Sequence, residues 1–179
     1  MVPNNYAGYF QAASQAAGAL VGLLFVVVAL RPGEIVGPRA DTVSKGLAAS
    51  SFTGLVNAFF VSMLALIPGK NLGVGAAILA VLSLWHTLQL HLGRAGTLRP
   101  NMRRSVVRHI VIFAASLLAY GLELYLAIAF ISRPHDADLV NDLSFVLIGL
   151  FAVALSRAWQ LMQSIAGAAD DAHAADADT

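Results

Sequence analysis

Glu123 offers the most concentrated chemistry in this chain, because it stands alone in an apolar run, GLELYLAIAF. A carboxyl group away from water can hold a proton or a cation, or it can act as hydrogen-bonded glue between helices. Asn57 (in TGLVNAFFV) and Gln15 (in AASQAAG) are amides in similar surroundings. An amide donates and accepts at once, so it suits either state of a carboxyl. Arg157 and His86 make a second candidate group. Ser50 and Thr53 precede Asn57 at helical spacings of seven and four, on one face. Such a stripe can line a path for ions. Hydroxyls also bond the carbonyls of their own helix, and the stripe is then structural.

Enzyme signatures are missing from the sequence. It contains no HExxH zinc motif, no G-x-S-x-G elbow and no phosphate-binding glycine loop followed by lysine. His86 and His91 are five apart, which puts them on different sides of a helix. His109, His135 and His173 are scattered. There are no cysteines, which excludes disulfides, thiolate catalysis and Cys-ligated metal. The expectation is a non-enzyme without cofactor or metal.

The elements that must position these residues follow from composition. Of 179 residues, 58% are hydrophobic and 12% charged. Soluble domains average about 25% charged residues. Mean hydropathy is +0.73. Apolar runs and breakers predict an all-α membrane protein, a bundle of five transmembrane helices over 9–30, 46–67, 72–92, 106–131 and 143–165. Each is near the ~20 residues that a bilayer requires. Arg31-Pro32-Gly33, Pro68-Gly69, Pro100-Asn101 and Ser132-Arg133-Pro134 punctuate the runs. Capping residues are Asp41, Thr42 or Ser44 for span two, Asn71 for span three, and Asp138 or Asn141 for span five. Residues 1–30 carry no Lys or Arg, so the first run reads as a retained helix and not a signal peptide. The segment 166–179 is acidic and rich in Ala and Asp, and it is expected to be disordered, with a short helical extension of span five also in keeping with its alanines. Five spans do not divide into two equal halves, which argues against an inverted-repeat transporter.

Charge sets the orientation. Arg31, Arg39 and Lys45 lie in loop one, and Arg94, Arg99, Arg103, Arg104 and Arg108 lie in or beside loop three. Loops two and four hold only Lys70 and Arg133. The positive-inside rule puts the N-terminus outside and the C-terminus in the cytoplasm. Arg99, Arg103, Arg104 and Arg108 are then expected to meet anionic lipid headgroups at the inner leaflet. In this frame Glu123 lies roughly 20 Å from the inner edge. Gln15 and Asn57 fall at comparable depths, predicting one polar layer of Glu123, Gln15 and Asn57 facing the interior. Arg157 and His86, with Ser50 and Thr53, form an inner layer. Arg157 is expected to snorkel toward the headgroups.

Small residues suggest close helix contacts. Gly18 and Gly22 form a GxxxG pair, and Ala76/Ala80 and Ala115/Ala119 are small-xxx-small pairs. The stretch AAGALVGLLFVVVAL, followed by LIPGKNLG, resembles a group of small bacterial multi-pass membrane proteins. Some of these are labelled modulators of a membrane-bound AAA protease. The resemblance covers spans one to three, carries over no functional residue, and implies an accessory role in the bacterial inner membrane. The leading expectation is a protein that works by lateral helix contacts, as a homo-oligomer or as a subunit beside a membrane-protein partner. No nucleic acid is expected. The rival expectation is an oligomeric ion or proton channel with Glu123, Asn57 and Gln15 along its path.

Overall fold

The computed structural model describes residues 2–35, 37, 42–68, 72–92, 103–134 and 136–177. Among these the structure is all helical. A short 3-10 turn, Asn4–Tyr6, leads into α1 (Ala7–Leu30). It is followed by α2 (Pro32–Ile35), α3 (Thr42–Leu66), α4 (Leu72–Leu92), α5 (Arg103–Ser132) and α6 (Ala137–Ala177). All but the one-turn α2 are long and apolar enough to cross a membrane, which makes five candidate spans.

The long helices do not form a ring of five. Helix α3 packs on α4, α4 on α5, α5 on α6 and α6 back on α3. This closes a four-helix bundle. Helix α1 stands outside it against α3, with the Tyr9 hydroxyl donating to the carbonyl of Ser144 on α6 at 2.7 Å. Phe10, Ala13, Ala17 and Leu24 make the buried face of α1.

Two glycines mark close helix approaches in the ring. A Cβ on Gly73 would lie 2.6 Å from the Ala127 carbonyl oxygen, so α4 and α5 touch backbone to backbone there. A Cβ on Gly54 would lie 3.0 Å from the Cβ of Ala154, joining α3 to α6. Ala76 and Ala80 continue the Gly73 seam and are fully buried. Small residues allow such contacts, and dispersion rewards them.

The polarity of the molecule is inverted relative to a water-soluble bundle. Leu118, Phe145, Tyr125 and Trp85 point outward, while Glu123, Asn57 and Arg157 are buried. Such an outward face suits hydrocarbon more than water.

Two boundaries differ most from the sequence expectation, while α3 starts at Thr42, four residues early, with Thr42 and Ser44 inside it. Helix α6 starts at Ala137, ahead of the anticipated 143, because Asp136 caps it: its Oδ1 accepts the Asp138 N–H at 3.1 Å. Asp138 and Asn141 are therefore inside the helix and not at its cap. Arg133 also binds Asp136, at 3.3 Å. Replacing Asp136 with Ala should cost about 1 kcal/mol, read as a lowered midpoint in thermal unfolding followed by circular dichroism. At the other end α6 runs on to Ala177. Residues 166–177 are thus helical where disorder was expected, since alanine prolongs a helix already nucleated by the packed turns before it. Asp41 and Asn71, named as caps, lie outside the described residues.

Candidate functional site

One face of α5 carries Ser116, Tyr120, Glu123, Ala127 and Phe130, alternating by four and three residues, all buried in the bundle. Its polar members meet side chains of α3 and α6, and α4 joins through Asn57. Asn57 of α3 extends its Nδ2 to Glu123 Oε2 at 3.1 Å and to Ser83 Oγ of α4 at 2.9 Å. Both amide hydrogens are thus committed. Glu123 is 0% exposed and Asn57 2%. Glu123 Oε1 and Asn57 Oδ1 have no hydrogen-bond partner.

A second level lies one to two turns along the helices. His86 Nδ1 is 2.8 Å from Thr53 Oγ1, and Thr53 Oγ1 also lies 2.9 Å from the Ala49 carbonyl. A hydroxyl has one hydrogen. If Thr53 gives it to Ala49, His86 must be the donor through Nδ1–H. Arg157 of α6 donates to Ser116 Oγ at 2.5 Å. Tyr120 lies between the levels, within electrostatic range of both Arg157 and Glu123. Its hydroxyl reaches the space beside Gly54, 3.5 Å from where a Cβ would stand.

The structure thus brings Glu123 and Asn57 together and leaves Gln15 out. Gln15 is exposed on the side of α1 turned away from α3. The three-residue polar layer expected from depth alone does not form, because depth says nothing about rotation of α1 about its axis. His86 and Arg157 each find a hydroxyl and do not form one group. Arg157 is 3% exposed, so it does not snorkel. Its guanidinium donates to Ser116 inside the bundle. Ser50 is buried and bonds the Leu47 carbonyl at 3.1 Å. It is satisfied by its own helix.

Ser83, Ser116 and Tyr120 were not among the sequence candidates. Two of them were within reach of its logic, since Ser116 and Tyr120 precede Glu123 at seven and three. A Cβ on Gly18 would lie 3.4 Å from the Phe59 ring, whereas one on Gly22 would meet nothing within 4 Å, so the GxxxG pair is not one contact. Ala115 and Ala119 are half-buried and line a groove of about 520 Å³ between α5 and α6, along with Leu122, Phe145, Gly149 and Asp142. Arg99 lies outside the described residues. Of Arg103, Arg104 and Arg108 only the helical backbone is described, so the lipid-headgroup expectation gains no geometry here.

Chemically, the site combines an acid, an amide and hydroxyls in a closed interior. Among the described residues, no three His, Cys, Asp or Glu side chains come together as metal ligands would. No protein-family model matches the chain, and neither a curated protein nor a solved structure is similar to it.

Proposed function

We propose that this chain is a multi-pass protein of the bacterial inner membrane, N-terminus outside, that acts through lateral helix contacts and not through catalysis. It assembles as a homo-oligomer or as an accessory subunit of a larger membrane complex. The accessory role is also what the resemblance over spans one to three implies.

The observation that carries this reading is the outward face of α1. Gly8, Gln11, Ala12, Gln15, Ala16, Ala19 and Gly22 are all exposed there. By contrast, the second half of α1 exposes Leu23, Phe25, Val26 and Leu30, and α4 exposes Val74, Ile78, Leu82, Trp85 and Leu88, which suit lipid chains. Small residues with two amides suit another helix, because backbones can come close and the amides can pair. In hydrocarbon an amide without a partner is costly.

The test is subunit counting by native mass spectrometry in native-lipid particles. Assemblies of this chain, with itself or with a defined membrane protein, are expected. A strictly monomeric chain with no partner would refute the proposal. Gln15→Leu should leave the fold unchanged, since Gln15 contacts no other helix through hydrogen bonds. It should weaken assembly by about 1 kcal/mol, seen as a shift toward monomer.

A further inference from the structure

We propose that the Ser83–Asn57–Glu123 cluster is an exchangeable proton-binding site, closed toward the face that carries the α3–α4 turn and reached from the opposite face.

Hydrogen-bond accounting is the first argument. Asn57 Nδ2 spends both hydrogens, on Ser83 and on Glu123 Oε2. Two acceptors, Glu123 Oε1 and Asn57 Oδ1, then belong to contacting groups and have no donor. Buried acceptors without donors are rare in folded proteins. A single proton on Oε1 turns a surplus acceptor into a donor, and the neighbouring amide oxygen is its natural acceptor. The acid and the amide are then complementary, each donating to and accepting from the other. The proton comes from water on the open face and returns there.

No fixed positive charge does this work instead. The titratable or charged groups facing the cluster are Tyr120 from α5 itself, His86 from α4 and Arg157 from α6. Helix α3 supplies none. Helix α1 stands outside the ring, and its Tyr9 hydroxyl is given to the Ser144 carbonyl. Arg157 is bound to Ser116, seven residues from Glu123 on α5 and so roughly 10 Å away along the axis. His86 is engaged by Thr53.

The asymmetry of the interior gives the direction of access. From the cluster toward the α3–α4 turn the buried residues are Ala58, Val61, Ala76, Ala127, Phe130 and their apolar neighbours, with only hydroxyls interspersed. Among the described residues no buried side chain there titrates. In the other direction lie Tyr120, Thr53 with His86, and Arg157 with Ser116, ahead of the apolar cluster of Leu24, Ile35, Ala48 and Leu161, so the polar groups and not an open cavity set the side of access. Protons move along such groups and not through packed hydrocarbon. The site is a dead end and not a through-channel.

Infrared difference spectra of the protein in lipid nanodiscs, in H2O against D2O at neutral pH, test the site. The expected result is a protonated-carboxyl band that Glu123→Gln removes and Asn57→Leu shifts toward that of a carboxyl without an acceptor. If Glu123→Gln does not fold, the Asn57→Leu shift alone decides, since the acid remains. A carboxylate band in its place, or a band that only sodium ions alter, would overturn the proposal. Access is read by cysteine labelling, which is clean because the chain has no cysteine. Thr53→Cys should react with a water-soluble thiosulfonate at least ten times faster than Ser62→Cys, and from one face only. Equal rates would overturn the closed side.

Discussion

Gly73→Ala should destabilise the bundle by about 1–3 kcal/mol, and Gly73→Leu should prevent α4 from seating on α5. The added Cβ would stand 2.6 Å from the Ala127 carbonyl oxygen and 2.9 Å from both the nitrogen and Cγ1 of Ile131. Two of these three atoms are backbone, so no side-chain rotation relieves the clash. The helices must separate along a seam that includes Ala76 and Ala80, losing dispersion contacts over its length. Thermal unfolding in detergent, followed by circular dichroism, measures the loss. Gly121→Ala and Gly149→Ala are the controls, because nothing lies within 4 Å of either Cβ position. An unchanged midpoint for Gly73→Ala would mean that the backbone contact between α4 and α5 is wrong.

Glu123→Lys should abolish the folded protein, whereas Glu123→Gln should keep it. Lysine would put an ammonium against the Asn57 Nδ2 hydrogens, in an interior that already holds the Arg157 guanidinium. Donor would face donor, and a second cation would be buried in the same interior. Lysine at the centre of a spanning helix costs about 3 kcal/mol before these contacts are counted. Glutamine preserves an acceptor for Asn57 and adds a donor, so its effect should stay below about 1 kcal/mol. The yield of monodisperse protein after extraction, with its unfolding midpoint, separates the two. A well-folded Glu123→Lys would show that residue 123 can reach the surface, contrary to its burial.

The pairing of Glu123 with Asn57 was legible as matched depth. Each lies nine residues from the end of its helix at the same face of the bundle, Ser132 for one and Leu66 for the other. Depth is a one-dimensional quantity, and hydropathy with breakers supplies it. Gln15 had the right depth too and is nevertheless outside. What separates it from Asn57 is rotation about the helix axis and the position of α1 in the assembly. Neither is written locally, because α1 is apolar on its packed face and on much of its exposed face. Leu24 is buried while Leu23 and Phe25, its neighbours in an unbroken apolar run, are exposed.

The sequence by itself determined that the chain is helical, where its five apolar helices fall and which polar residues interrupt them. Those features depend on runs of side chains and on proline and glycine breakers, which act within a few residues. Only the tertiary structure decided that four helices close a ring while α1 stays outside. It also decided that Arg157 is held by Ser116, and that Asp136 starts α6 early. In a soluble protein the contrast between core and water prints the packing face onto the sequence as an amphipathic pattern. Where both the interior and the surroundings are apolar, that contrast vanishes, and the fit of small residues such as Gly73 and Gly54 chooses the partners.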